Sequence, residues 1–448
     1  MSDRPQPPAI VGTAVASSVI MGCGIVTGLI AARSLGPDGR GQLAAITVWT
    51  ITFVYVGDFG LPDAAAYAAA AERDRRDRVW TTAQILAIAF GLVIVLVGWW
   101  FVPFAFTGDN EALIPLARWY LALFAVPSLG ASVALAWLQG VGRMRAFNLS
   151  RPIVQLVNAA GMAILFLEGV DSLEHFAAVL LVGTASGWLV AAALGPGRRA
   201  IAAPPSAPLA RRMLGYGVRT QWGNWATVAN ERLDQLLLST LTPAASLGLY
   251  VVAFSYAMLL QAIANTTAMA MWPGLVAAHQ AGTAPAYIAR WYRRLLWVTL
   301  TAAVIVAGAS PFVIPLLFGE AFSSAVPLAL LLVPAVTVLG MNEILSTGFH
   351  GSGRPEVVSV SQAVGLVVTV AALAALLPRY GAYGAAVASL LSYSSTHVFL
   401  LRQTIGTFGV DMRSLVVPTH DDRDALLAAG SALAHRFQGS RRPAGLNS

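Results

Sequence analysis

Lysine is absent from this 448-residue chain: all 28 strongly basic side chains are arginine. Without lysine the sequence holds no P-loop, no Schiff-base centre and no Walker-type motor. Cysteine is almost absent as well. Cys23 is single and lies in an apolar run, which excludes a disulfide framework or a cysteine zinc site and leaves a small packed thiol. Charge is scarce, at 11% against roughly a quarter in soluble globular chains. Hydrophobic residues make up 57% and the mean hydropathy is +0.69, a composition suited to lipid. No pattern for a cofactor or a metal is present.

The net charge of +7 would suit nucleic acid, but the arginines fall in loops that flank apolar runs, so anionic lipid headgroups are the expected partner and nucleic acid is not. The N-terminus is short and polar. The first apolar run is too long for a signal-peptide core and predicts an uncleaved first helix.

A bilayer core takes about 20 apolar residues in helical form. Runs of that kind occur near 10–32, 42–71, 79–105, 112–138, 149–167 and 174–194, and again near 214–240, 245–278, 295–318, 326–349, 356–377 and 382–404. These predict an all-α polytopic membrane protein of about twelve spans. Residues 1–200 form an N-terminal six-helix lobe, 201–213 a cytoplasmic linker, 214–404 a C-terminal six-helix lobe, and 405–448 a polar cytoplasmic tail. In that tail Leu426, Leu433 and Phe437 share one helical face, which suits either the inner leaflet or disorder.

Arginine placement tests the count independently. Loops after the even spans carry fifteen arginines, among them Arg73, Arg143, Arg198, Arg199, Arg290 and Arg354; loops after the odd spans carry four, Arg33, Arg40, Arg118 and Arg379. This asymmetry places both termini in the cytoplasm of a cell inner membrane. Trp80, Trp119, Trp291 and Trp297 lie near the expected interfaces.

The two halves repeat. Pro103-Phe104 returns as Pro311-Phe312 at an offset of 208, Gly140-Val-Gly-Arg143 as Gly351-Ser-Gly-Arg354 at 211, and Leu35-Gly-Pro37 as Leu241-Thr-Pro243 at 206. Six spans per half is an even number, so the repeats enter the membrane from the same side. Such parallel repeats enclose a central cavity and rock about it, as transporters do.

Polarity inside the spans is concentrated in span 7. Thr220, Asn224, Thr227, Glu231 and Asp234 fall within about 80° of helical arc, flanked by Arg219 and Arg232. Ionisable groups at membrane depth face a cavity or a partner. A structural interhelical pair would explain them equally well. Arg232 and Asp234 lie about 200° apart around the helix and cannot pair face to face. Span 2 is interrupted by Gly57-Asp58-Phe59-Gly60-Leu61-Pro62-Asp63, and span 8 by Trp272-Pro273-Gly274 with Asn265 upstream; matched breaks point to a transport site or to plain kinks. Arg33 closes span 1, where it meets substrate or snorkels to headgroups. Glu343 lies beside Asn342 in span 10 with no arginine near it. His397 in span 12 reads as a packed or interfacial histidine.

The stretch Arg33-Ser-Leu-Gly-Pro-Asp-Gly-Arg-Gly-Gln-Leu, then Asp58-Phe-Gly-Leu-Pro, resembles the opening of the oligosaccharide flippases. So do Arg232-Leu-Asp-Gln-Leu-Leu-Leu-Ser, Leu247-Gly-Leu-Tyr-Val-Val-Ala, the Gly351-Ser-Gly-Arg-Pro loop and Tyr380-Gly-Ala-Tyr-Gly-Ala-Ala. These flippases belong to the multidrug/oligosaccharidyl-lipid/polysaccharide exporter superfamily, and the likeness runs over residues 10–404. It implies a non-enzymatic secondary transporter that moves polyprenyl-pyrophosphate-linked oligosaccharide from the inner to the outer leaflet for cell-surface polysaccharide synthesis. It further implies a cationic cavity and coupling to H+ or Na+. Under it Arg33, Arg219, Asn224, Arg232 and Asn265 become the substrate-binding residues, and Asp58, Glu231, Asp234 and Glu343 the cavity or coupling acids. Peptidoglycan-precursor flippases carry more cationic residues in the first lobe and extra spans; this chain has neither.

Two other classes compete. A drug or metabolite cation antiporter of the same superfamily would favour first-lobe acids, for which Asp58 and Asp63 qualify. A membrane glycosyltransferase or polymerase needs a sizeable extramembrane loop, and every outward loop here is short.

The topology is directly testable: a reporter fused after residue 74 or 200 should stay cytoplasmic, and one after residue 171 should be exported. A reversed signal at any of these points breaks the span count.

Overall fold

A computed structural model of the chain describes residues 7–196, 203–419 and 422, without the side chains of 7–11, 109, 222–224, 226, 227, 273 and 276. Arg198, Arg199 and the tail residues Leu426, Leu433 and Phe437 lie outside the described residues. Among the described residues all regular structure is helical.

The helices are α1 (Pro7–Gly57), α2 (Leu61–Ala71), α3 (Arg76–Ala105), α4 (Ile114–Val141), α5 (Met144–Ser150), α6 (Ile153–Leu167) and α7 (Leu173–Ala193). They continue with α8 (Ala207–Leu241), α9 (Ala244–Ala257), α10 (Leu259–Gln280), α11 (Ala284–Phe318), α12 (Val326–Gly351), α13 (Pro355–Phe408) and α14 (Met412–Val416). At 1.5 Å per residue, α1 and α13 would run roughly 75–80 Å, more than twice a bilayer core of about 30 Å. Each is two spans in one. Gly36 breaks α1 at φ 64° before Pro37, and Gly381 breaks α13 at φ 53°. Among the described residues nine helices are long and apolar enough to cross a membrane. With α1 and α13 counted twice and the more polar α8 added, there are twelve spans.

Several boundaries move. Helix α8 begins at Ala207, inside the stretch read as linker, and α13 runs to Phe408, into the stretch read as tail. The expected interruption at Trp272-Pro273-Gly274 is not there: α10 stays helical through it, and the chain breaks at Met258 instead. The Tyr287 hydroxyl donates to the Met271 carbonyl (3.1 Å), and Gly274 leaves the room this ring needs. Trp80 is buried edge-on against Trp137 rather than placed in a belt.

Left-handed glycines mark the repeat. Gly108 and Gly319, Gly142 and Gly353, and Gly169 and Gly381 all have positive φ, at offsets of 211, 211 and 212. Short 3₁₀ turns follow the first pair at Gly108–Leu113 and Glu320–Ala325.

The chain packs as two compact units. The first comprises Met1–Ala257, Ala309–Leu332 and Gly365–Ser392. Its centre is a backbone contact between α1 and α9. A Cβ on Gly41 would stand 1.7 Å from the Ala244 carbonyl oxygen, and one on Gly248 would stand 2.0 Å from the Pro37 carbonyl oxygen. An offset of 207 converts Pro37 into Ala244 and Gly41 into Gly248, so this is one contact made twice, as across a two-fold axis. The neighbouring helix ends obey the same relation. Arg33 Nε donates to the Leu317 carbonyl (2.7 Å), while Thr240, its equivalent at offset 207, donates to the Ala105 carbonyl (3.1 Å).

The second unit comprises Met258–Gly308, Val333–Val364 and Tyr393–Ser448. Met271, Leu275, Ile288, Leu345, Phe349 and Leu400 form its core. A polar chain crosses it: Asn342 Oδ1 meets His397 Nδ1 at 2.8 Å, and His397 Nε2 meets the Tyr292 hydroxyl at 3.0 Å. At its edge Asp422 accepts from Arg293 and from Arg294 (2.8 Å), which ties the end of the described chain to α11. Burial pushes the Asp422 carboxyl up, but the hydrogen bonds from Arg293, Arg294 and Thr419 outweigh it and hold it well below the ordinary carboxylate value.

The glycine contact has no slack, because backbone faces backbone. Gly41→Val and Gly248→Val should each lower the thermal midpoint of the detergent-purified protein, by overpacking of about 1–3 kcal/mol or more. Parental melting in both variants would contradict the close approach.

Candidate functional site

The interruption predicted in span 2 is present, and the first unit builds its site around it. Residues 58–60 leave the helix, with Phe59 at φ 46° and Gly60 at φ 66°. Asp58 Oδ1 accepts the Gly60 N–H at 2.9 Å and holds the turn. A non-glycine residue at positive φ is strained and persists only where its surroundings fix it. Helix α8 supplies that restraint. A Cβ on Gly60 would stand 2.4 Å from the Gly217 carbonyl oxygen, and one on Gly217 would stand 2.4 Å from the Phe59 carbonyl oxygen.

A helix end leaves carbonyls without partners, which membrane depth does not tolerate. Here α8 provides the donors. Gln221 Nε2 donates to the Tyr55 carbonyl at 2.7 Å, and Trp225 Nε1 to the Val56 carbonyl at 3.2 Å. Neither residue belongs to the polar stripe visible in the sequence; both sit beside it. The indole also lies edge-on to Phe59, at 6.0 Å between ring centres.

Below the break α2 and α8 enclose a cavity of about 540 Å³. Arg211, Arg212 and Arg219 line it from α8, together with Glu72 at the end of α2. Arg212 pairs with Glu72 at 3.1 Å, leaving an excess of two positive charges. Tyr67 and Tyr216 stack on its wall, 4.5 Å between centres and 8° from parallel. Exposed guanidinium groups beside a flat aromatic face offer paired donors to phosphate oxygens and an apolar surface to a sugar ring.

Further along α8 lies a buried polar cluster. Asp234 is 4% exposed and accepts from the Tyr250 hydroxyl, from its neighbour Gln235 N (2.7 Å) and from Ser389 at 3.5 Å. One turn earlier Asn230 Oδ1 accepts from Thr369 (2.7 Å) and Ser392 (3.2 Å). Thr369 and Ser392 bond each other at 2.7 Å. This gathers one carboxylate and several neutral oxygens, a set suited to a proton or a monovalent hard cation. No group of three or more His, Cys, Asp or Glu suited to a metal occurs among the described residues.

The stripe therefore divides. Asp234 is buried, Glu231 is exposed, Thr220 bonds its own helix at Gly217, and the side chains of Asn224 and Thr227 lie outside the described residues. Arg232 is half-buried and forms no ion pair with Asp234. Arg219 joins Arg211 and Arg212, which the sequence placed among loop charges. Arg33 spends its guanidinium on the Leu316 and Leu317 carbonyls. Asn265 and Glu343 belong to the second unit; Asn265 accepts from Gln261 at 3.1 Å and Glu343 is exposed.

The model for the family described as polysaccharide biosynthesis protein matches residues 10–279. Among solved structures, an inward-facing multidrug resistance MATE transporter of the MOP superfamily superposes with a TM-score of 0.72 at 17% identity, over 89% of this chain and 99% of that one. The lipid II flippase MurJ in an inward closed conformation gives 0.73 at 12% identity, over 90% and 88%. A MOP superfamily transporter from Pyrococcus furiosus, whose binding pocket is described as reversed in polarity, gives 0.59 at 15%, over 90% and 96%. These likenesses establish the fold. No curated protein matches the sequence significantly.

The docking of α8 on the break sets a test. Gln221→Leu leaves the Tyr55 carbonyl without its donor and should cost about 1–3 kcal/mol, read as a lower thermal midpoint. Gly60→Ala should lower it as well. If Gln221→Leu melts as the parent does, the break does not depend on this hydrogen bond.

Proposed function

Since the chain belongs to the polysaccharide biosynthesis protein family, we propose that it is a secondary transporter that flips polyprenyl-pyrophosphate-linked oligosaccharide from the inner to the outer leaflet. The observation that carries this reading is the cationic cavity of Arg211, Arg212 and Arg219 beside the stacked tyrosines. It lies at the start of α8, the end that the arginine asymmetry assigns to the cytoplasm of the inner membrane, with both chain termini on that side. A lipid-linked sugar presents its diphosphate at that depth.

In this reading Arg219 and Arg211 meet the pyrophosphate first, and the Tyr67–Tyr216 face supports the first sugar. Arg232, thirteen residues further along α8 and so about 20 Å deeper, receives the charge as the cavity changes access. Guanidinium suits both steps because it stays charged on burial. Asn224 offers its amide to sugar hydroxyls, and Arg33 holds the outward end of span 1. Asp234 is the coupling acid, exchanging H+ or Na+ within its hydroxyl cluster; Asp58 and Glu231 balance the cavity charge. A cation antiporter fits the site less well, because the cavity would repel its substrate.

The test is transport of a fluorescent polyprenyl-pyrophosphate sugar in proteoliposomes, with insertion controls. Arg219→Ala and Arg232→Ala should each slow flipping at least about tenfold, the loss expected for one charge-assisted hydrogen bond. Arg232→Lys should retain part of the rate, and Asp234→Asn should abolish its dependence on the pH or Na+ gradient. Parental rates in both alanine variants, at normal insertion, overturn this assignment.

A further inference from the structure

Within the second unit, at the opposite end of the sequence from the cationic cavity, lies a larger one of about 930 Å³. Its polar end is the clasp between α11 and the end of the described chain. Arg293 is fully engaged there: Nε bonds Asp422, and its terminal amines bond the Ser414 carbonyl and the Thr419 hydroxyl. Arg294 is not. Only its Nε is used, on Asp422 at 2.8 Å, and its side chain keeps 28% of its surface. Among the described residues its two terminal amines have no partner. Two arginines against one aspartate leave a single positive charge, displayed by Arg294 at the cavity mouth.

The remainder of the cavity is apolar but for Thr301, whose hydroxyl donates to the Trp297 carbonyl of its own helix at 2.8 Å. Trp297, Val298, Ala302 and Ile305 form one wall along α11, and Pro418 closes the end beside Thr419. The Trp297 indole donates to the Val416 carbonyl at 3.0 Å, which fixes the ring across the junction of wall and clasp. From Trp297 to Ile305 the wall runs about 12 Å along the helix, most of one leaflet of a core about 30 Å thick. Ile305 is 64% and neighbouring Val304 72% exposed, so among the described residues nothing packs over this side of α11. Arg290, Arg293 and Arg294 lie near the start of α11, the end that the arginine asymmetry assigns to the cytoplasmic side.

We propose that this cavity binds one anionic phospholipid of the inner leaflet, its phosphodiester on Arg294 and one acyl chain along Trp297, Val298, Ala302 and Ile305. The complementarity is specific. One excess positive charge matches one phosphodiester, two free guanidinium amines match two phosphate oxygens, and the apolar wall starts where an acyl chain would. A zwitterionic lipid places a choline against Arg294, and a free phosphate leaves the wall uncovered. The bound lipid joins Pro418–Asp422 to α11 and adds to the clasp.

The experiment is native mass spectrometry and lipid extraction after exchange of the full-length protein from phosphatidylglycerol-containing membranes into detergent. The parent should retain one phosphatidylglycerol, with phosphatidylcholine and millimolar inorganic phosphate failing to displace it. Arg294→Gln should reduce retention at least tenfold, and Ala302→Phe, which fills the wall and leaves every charge, should do the same. Arg290→Gln removes an equal charge outside the cavity and should leave retention unchanged. Unchanged retention in well-folded Arg294→Gln or Ala302→Phe, or equal loss in Arg290→Gln, would overturn the proposal. So would retention of polyprenyl phosphate in place of phosphatidylglycerol.

Discussion

Two glycines decide how the first unit is built. At Gly41 and Gly248 the backbones of α1 and α9 approach until the space of a single methyl group is missing. Helices in lipid gain little from apolar burial against each other, so close backbone approach and dispersion must hold them. The contact is reciprocal, and therefore each half of the repeat supplies the same surface. Once α1 and α9 are crossed at this point, the neighbouring helix ends have few alternatives. Arg33 reaches the end of α11 and Thr240 the end of α3, each satisfying carbonyls a helix terminus leaves over.

Around that pair, polar backbone and side chains satisfy one another across distant sequence. The left-handed break at Phe59 and Gly60 would be costly alone; it persists because Gly217, Gln221 and Trp225 of α8 fit it. The same helix then offers arginines at one end and Asn230 and Asp234 further on. One element thus carries the brace of the break, the arginines of the cavity and the buried carboxylate. Such economy is consistent with a moving machine, since whatever shifts α8 alters all three at once.

Much of this was legible in the sequence, for definable reasons. Run length and arginine placement gave the spans because the bilayer imposes both. The span 2 break was readable because Gly57, Gly60 and Pro62 are local breakers. The acidic residues of α8 stood out because their cost in lipid demands an explanation. Partners were not readable. Tyr250, Thr369, Ser389 and Ser392 are ordinary membrane-helix residues whose roles arise only when chain segments up to 162 residues apart meet. Gln221 and Trp225 lay just off the stripe that periodicity selected. Pro273 misled for the opposite reason: a local breaker sits inside a helix that runs on through it from Leu259 to Gln280.

Helix α8 also constrains how the protein is made. Arg219, Glu231, Arg232 and Asp234, together with Gln221, Asn230 and Gln235, give this segment little tendency to leave the translocon for lipid unaided. Its early partners, Tyr55, Val56 and Glu72, have already been synthesised when it emerges, so its first half has a place to dock. The partners of Asn230 and Asp234 in α13 follow well over a hundred residues later. During that interval the second half of α8 must be sheltered by the insertion machinery or stay at the interface. The seventh of the twelve spans thus gains its last side-chain partners only when the final ones arrive.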